Sequence, residues 1–333
     1  MIKIFSSLLI AIITSTFLIA QPYKAPVSTL IIDPGHGGLD PGAKGTFASE
    51  ANVSLAVALK LGDTIAKAYP HMKILFTRTT DILPGNATNK DAGLKNRAKL
   101  ANENNGDLFI SVHCNASGQP AGGWYKKEIV NKIPRTRTVK KGKKTFTQTY
   151  YEYEYENVWH PNKAKGTETY VWAVNKNDSK MSHIHEYNSE EDSTSTLTLP
   201  NPNDPAEKAR MLVYAKNYFK KSLLLATYVQ EEFTATGRVD RGVKQRNDKG
   251  IWVLQATAMP SVLVEIGFIT NKEEEEYIAS EAGQKEIAAN VFTALKKYID
   301  NLEKKAIEKE KERAKDAEEA KEKETDKNEK KGF

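Results

Sequence analysis

Four side chains carry the chemistry this sequence offers: His36, Glu50, His113 and Glu265. They lie in Asp33-Pro34-Gly35-His36-Gly37-Gly38, Ser49-Glu50, Ser111-Val112-His113-Cys114-Asn115 and Val264-Glu265-Ile266-Gly267. Two imidazoles and one carboxylate make a donor set for zinc that leaves a fourth position open to water. A further carboxylate is what a zinc–water enzyme needs to move the proton. Each residue alone also has a plainer reading. The glycine-rich loop around His36 could cradle a phosphate, although it has neither Gly-Lys-Ser/Thr nor a dinucleotide glycine pattern. His113 could be a satisfied core histidine, and Glu50 a partner of a helix dipole. Glu265 is hardest to explain away: it interrupts the apolar run 261–269, and an unpaired buried carboxylate is costly. A nearby cation would account for it.

The elements that must position these residues follow from apolar spacing. A strand over 28–33 ends at Pro34-Gly35. Val53, Val57, Ala58, Leu61 and Ile65 predict a helix over 50–69, with Ser49 as its N-cap and Glu50 on its first turn. Strands are expected over 72–78 and 107–114, with a helix over 93–105 between them. Alternation along the second of these strands turns Ile110, Val112 and Cys114 to one side and Phe109, Ser111 and His113 to the other. Cys114, the single cysteine, therefore reads as a small core residue, and it has no internal disulfide partner. Further strands are expected over 167–174, 250–254 and 261–266, and helices over 206–233, 273–278 and 283–299. Strands alternating with helices imply an α/β fold. It is a three-layer sandwich with a largely parallel or mixed central sheet, and the candidate residues fall at strand ends.

Two stretches break the pattern. Residues 126–144 hold nine basic side chains and one acidic one, Glu128, and 150–156 reads Tyr-Tyr-Glu-Tyr-Glu-Tyr-Glu. A long hairpin turning near 140–144 is expected, with lysines opposite glutamates. It is either a polymer-binding arm or a self-neutralising solvated hairpin. Residues 175–205 read as a long surface loop containing His183, His185, Glu190, Glu191 and Asp192.

The ends have their own character. Lys3 followed by the apolar run 4–19 and Ala20 reads as a secretory signal peptide over 1–20, which implies an exported protein of the periplasm or cell envelope. Membrane contact is expected only through that segment. Residues 301–333 carry eleven basic and eleven acidic side chains with few apolar anchors, so they form a solvated helix or disordered tail. The remainder, 21–300, is the expected catalytic domain, with insertions at about 124–165 and 175–205. Residues 21–300 carry 37 basic and 32 acidic side chains, a balance of +5 that suits an anionic envelope polymer. No nucleic-acid motif is present, and no nucleic-acid partner is expected.

Taken together and in order, the motifs resemble the zinc-dependent N-acetylmuramoyl-L-alanine amidases of the cell-wall amidase family, amidase 3 type. The matching stretches are 31–43, Glu50 opening a helix, Thr77-Arg78-Thr79-Thr80-Asp81, Arg97 with Ala101-Asn102, 111–116, 166–170 and 263–271. Ser54 stands where the family commonly has Asn, and Cys114 where Ala is frequent. The resemblance implies zinc held by His36, Glu50 and His113, with Glu265 as the catalytic carboxylate. It implies peptidoglycan as substrate, cut between N-acetylmuramic acid and L-alanine. Some relatives block the zinc with a helix inserted after the strand corresponding to 167–174. An acidic residue of 175–205 could act likewise here until an activator protein moves it. The competing readings are a catalytically inactive peptidoglycan-binding module and a zinc hydrolase of another amide.

Overall fold

The computed structural model describes residues 25–172, 205–248 and 250–329. The expected signal peptide and nearly all of the 175–205 segment, including His183 and His185, lie outside them. Eight strands occur among the described residues: β1 (Thr29–Pro34), β2 (Lys73–Phe76), β3 (Leu108–Asn115), β4 (Gly123–Lys141), β5 (Lys144–Pro161), β6 (Thr167–Val171), β7 (Asp240–Gln245) and β8 (Ser261–Phe268). The helices are α1 (Glu50–Ala68), α2 (Lys90–Glu103), α3 (Pro205–Ala235), α4 (Trp252–Ala256), α5 (Lys272–Ala279) and α6 (Glu281–Glu329).

Six strands form one sheet in the order β2-β1-β3-β8-β6-β7. The pairs β1/β2, β1/β3, β3/β8 and β6/β7 are parallel and β6/β8 is antiparallel, so the sheet is mixed. Strand alternation divides the core in two. Leu30, Ile32, Ile110, Val112 and Val264 meet Val57 and Leu61 of α1, Val229 of α3 and Val291 of α6. Ile31, Phe109 and Leu263 point the other way, towards Ala101 of α2 and Val253 and Leu254 of α4. Helices thus cover both faces, which is why the central strands read as nearly unbroken apolar runs. Cys114 belongs to the first cluster, buried as expected.

Local signals place the site-bearing elements. The Ser49 side chain accepts a hydrogen bond from the Asn52 N–H and starts α1 at Glu50. Asn89 caps α2 in the same way, accepting from Ala92, so that helix begins three residues earlier than its apolar spacing suggested. The expected strand over 250–254 is instead the short helix α4. Ile251-Trp252-Val253-Leu254 is an apolar run too short for periodicity to tell strand from buried helix. Strand β7 escaped notice because Asp-Arg-Gly-Val-Lys-Gln has no apolar alternation; it is a sheet edge.

The hairpin β4–β5 is a separate two-stranded sheet that turns at Gly142-Lys143. Its register corrects the expected charge pairing. Glu156 faces Glu128, Glu154 faces Asn131 and Glu152 faces Ile133, while Lys132 faces Tyr153. The turn position and a bulge between Ile129 and Asn131 set this register. Helix α6 runs unbroken across residue 300 and is exposed beyond Glu303 to the extent that its side chains are described. No helix among the described residues is long and apolar enough to cross a membrane.

Candidate functional site

Parallel strands β1, β3 and β8 end on one side of the sheet, and the four candidate residues gather there. The chain leaves β1 at Pro34 and places His36 in the left-handed region, φ 56°. That conformation is uncommon for a non-glycine residue, and outside constraint helps to hold it. Two arginines supply it by gripping backbone carbonyls. Arg97 Nη2 donates to the His36 carbonyl at 2.6 Å, and Arg78 Nη2 donates to the Gly35 carbonyl at 2.7 Å. Ser54, at the position where Asn is common, donates to the same Gly35 carbonyl at 3.1 Å.

Arg97 is fixed in turn by a buried ion pair with Asp33. Thr77 and Ser111 hydroxyls each donate to the Asp33 carboxylate at 2.6 Å. Burial alone would raise the Asp33 pKa, but Arg97, Ser111 and Thr77 outweigh it and hold the group below the ordinary value. Thr77, Arg78, Asp81 and Arg97, recognised in the sequence only as motif matches, therefore hold the His36 loop.

Three donors converge within this frame. Glu50 Oε1 lies 2.8 Å from His113 Nδ1 and 3.1 Å from His36 Nε2. The two rings stand edge to face, 4.9 Å between centroids. Backbone N–H groups of Ala43 and Cys114 donate to the two Glu50 oxygens at 2.8 and 3.1 Å. Burial pushes the Glu50 pKa up, but His113 and His36 more than reverse it, and the group is held far below the carboxylate range. His36 is desolvated too, yet Glu50 and Asp40 raise its pKa. Close approach requires glycine at two points. A Cβ on Gly35 would stand 2.4 Å from the His113 ring, and one on Gly42 (φ 66°) would stand 2.5 Å from Glu50 Oε2.

This donor set fits a divalent metal ion. The three ligand atoms of His36, Glu50 and His113 lie within 4.8 Å of one another, and no other such His/Cys/Asp/Glu group occurs among the described residues. Asp40 adds an orienting contact the sequence reading did not assign. Its Oδ2 lies 2.8 Å from His36 Nδ1, while Lys90 Nζ donates to Oδ1 at 2.7 Å. A proton on Nδ1 donated to Asp40 leaves the Nε2 lone pair free to bind a cation. The signal was available, since Asp40 follows His36 by four residues in a glycine-rich loop.

Glu265 stands beside this cluster. It pairs in register with His113 on one side and Glu168 on the other, and it lines the same cavity of about 520 Å³. The residue is only partly buried, but its Oε2 is sealed from solvent and has no hydrogen-bond partner among the described residues. Burial, then Glu50 and Glu168, push its pKa up to about 8 against the pull of Arg246 and His36. Glu168 contrasts with it. That carboxylate accepts hydrogen bonds from Asn115, Tyr170, Arg241 and Lys244, and it is held below its usual pKa because these partners outweigh burial. Arg246 and Trp252 also line the cavity, positions with no motif to mark them. Cys114 points its side chain into the core, and burial pushes the thiol well above its usual pKa.

A mixed α/β sheet that brings a metal-competent His–Glu–His cluster and a high-pKa carboxylate to one end of its strands defines a hydrolytic domain. Residues 30–297 match the N-acetylmuramoyl-L-alanine amidase family, and the chain belongs to it. Its domain is a peptidoglycan amidase domain. It is 26% identical over 274 residues to an uncharacterized cell wall amidase of Bacillus anthracis, covering 82% of this chain and 35% of that protein. It is 25% identical over 272 residues to a putative N-acetylmuramoyl-L-alanine amidase of Buchnera aphidicola, covering 81% and 94%. Among solved structures, the CwlD amidase of Clostridioides difficile, in complex with the GerS lipoprotein, has a similar fold: TM-score 0.51, 24% identity, 82% of this chain and 98% of that one.

Proposed function

We propose that this chain is an exported zinc amidase. It hydrolyses the amide joining N-acetylmuramic acid to L-alanine and so detaches stem peptides from the glycan during cell-wall turnover or daughter-cell separation. His36, Glu50 and His113 hold the ion. Glu265 is the catalytic acid and base. The observation that carries the reading is the convergence of three donors beside Glu265, whose Oε2 is sealed from solvent and has no partner among the described residues.

Zinc held by these three residues would supply polarisation of the amide carbonyl and a lowered pKa of water, towards ~7. Glu265 takes the proton of the attacking water and delivers it to the departing amine, because an amide anion cannot leave. A cation held at the cluster would favour the carboxylate form of Glu265 against the burial, Glu50 and Glu168 that raise its pKa. Asp40 keeps His36 in the tautomer that presents Nε2. Arg78 and Arg97 keep the His36 backbone where that ring meets Glu50.

Residues 1–20 direct export, and the envelope is the site of action. Control by a protein partner that acts on 175–205 fits this scheme; the C. difficile relative is known in complex with a lipoprotein. Deleting 175–203 and measuring stem-peptide release tests it, and unchanged release discards the control.

Glu265→Gln should retain zinc and lose turnover, whereas His36→Ala should lose both. Metal analysis with and without chelator, together with mass spectrometry of digested peptidoglycan, reads the two out. A Gln variant that turns over near the parent rate would remove Glu265 from the mechanism.

A further inference from the structure

The hairpin β4–β5 has two unlike faces. Opposed residues of an antiparallel pair share a face, and alternate residues along each strand do too. By the observed register, Tyr125, Trp159, Tyr155, Tyr153 and Tyr151 stand on one side. Each is about half exposed or more, from 44% at Tyr153 to 70% at Tyr125. Lys127 and Lys132 share that side, and no carboxylate does. All four glutamates of the hairpin, Glu128, Glu152, Glu154 and Glu156, lie on the opposite side. Three of them have local partners there: Arg135 donates to Glu152, Asn131 to Glu154, and Lys126 and His160 meet Glu128.

The aromatic face is ordered as well as exposed. Lys127 Nζ lies 5.0 Å from the centre of the Tyr155 ring and Lys132 Nζ 3.9 Å from that of Tyr151. Each cation reaches diagonally across the strands, holding rings and ammonium groups in one plane of contact. The strands pack on each other and on little else among the described residues. At about 3.3 Å per residue the arm is about 60 Å long. Its base is joined to the cavity rim. Asn115 and Ala116 line the cavity. The chain then reaches Gly123 through a segment pinned by Asn162, which donates to Ser117 at 2.7 Å, and by Gly122, which donates to the Thr270 carbonyl at 2.9 Å.

We propose that this face is a second, non-catalytic binding site that grips a glycan strand of peptidoglycan. Sugar rings stack on Tyr151, Tyr153, Tyr155 and Trp159, and carboxylates of the stem peptides meet Lys127 and Lys132. Flat aromatic faces suit the apolar C–H faces of sugars, and tyrosine keeps a hydroxyl for their polar edges. A surface bearing cations and no carboxylate complements an anionic polymer. Because the arm springs from the cavity rim, one strand can run from the arm to the cavity. The identity of the polymer rests on the amidase reading.

The test is binding of the full chain to purified insoluble sacculi, in a Glu265→Gln background so that the polymer persists. Substituting Tyr151, Tyr153 and Tyr155 together by Thr preserves strand propensity and should weaken binding by at least about tenfold. With Glu265 intact, the same triple variant should hydrolyse a soluble muramoyl-peptide at the parent rate. Substituting Glu152, Glu154 and Glu156 by Gln should leave sacculus binding undiminished. Lys127→Gln with Lys132→Gln should weaken binding less and flatten its decline with added salt; this pair decides the matter if the tyrosine variant fails to fold. Binding unchanged in both face variants overturns the proposal, as does retention by phosphatidylglycerol vesicles without retention by sacculi. A parent chain that holds sacculi but releases no stem peptide would remove the amidase reading and leave the arm standing.

Discussion

The loop that carries His36 and the hairpin that carries the tyrosine face are ordered by opposite means. The loop has only two isolated bridges of its own, Gly37–Asp40 and Lys44–Ser49. Much of its conformation is held from outside by Arg78, Arg97 and Ser54 on carbonyls and by Glu50 on the Ala43 N–H. The hairpin orders itself by a ladder of pairs from Gly123–Pro161 to Lys141–Lys144 and takes little from the domain. A site that must hold three donors within a few ångströms needs long-range constraint from several elements. A surface that meets an extended polymer needs only reach and a periodic face. Damage to the two regions should therefore differ in size.

The largest effect is expected at the buried ion pair. Arg97→Ala leaves Asp33 charged, buried and unpaired, and releases the His36 carbonyl. The loss should be about 3–5 kcal/mol of unfolding free energy, measured by denaturant titration, and a near-parent midpoint would show that the loop is held by other means. Next comes Glu275 on α5, buried beneath the same loop. It accepts from the Thr46 N–H and hydroxyl, the Phe47 N–H and the Ala48 N–H at 2.5 to 2.8 Å. Glu275→Gln should cost about 1.5–3 kcal/mol.

The same residue gives a pH dependence. Burial raises the Glu275 pKa, but Thr46 and the three backbone N–H groups outweigh it and lower the group below 4.5. Its contribution is then complete above the unfolded value of 4.5 and lost as pH falls through that value towards the folded pKa. Thermal midpoints measured downwards from pH 6 should fall less steeply in Glu275→Gln than in the parent, and parallel curves would refute the assignment.

A smaller effect is expected at Asp40, which orients one ring without building the loop. Asp40→Asn should weaken metal affinity roughly 10–100-fold with little change in the unfolding midpoint, read by competition with a chelator. The smallest belongs to the hairpin. Arg135 and Glu152 are both about half exposed, so Arg135→Ala should change global stability by less than about 1 kcal/mol. A large loss there would mean that the arm is part of the folding unit and does not order itself.

Much of the site was legible in the chain. Ser49 and the helical spacing after it put Glu50 on a first turn, and strand alternation put Cys114 inside and His113 outside. Glu265 declared itself by interrupting an apolar strand. What escaped has a common cause. Helix α4, edge strand β7 and Arg246 lie where local sequence has no periodic signal, and their places are set by neighbours distant in the chain. The hairpin register failed for a related reason: residue types named the partners, but the turn at Gly142-Lys143 and the bulge near Val130 chose the pairing.

By itself the sequence determined which residues enter each central strand and helix, which face they show, and which four side chains are chemically out of place in a packing element. These follow from spacing and capping within a few residues. Only the tertiary structure decided that two rings share Glu50 Oε1, that Glu168 is satisfied while Glu265 Oε2 has no partner among the described residues, and that the glutamates of the arm turn away from its tyrosines. Desolvation and hydrogen-bond satisfaction depend on every group packed around an atom, and sheet register brings those groups from far along the chain.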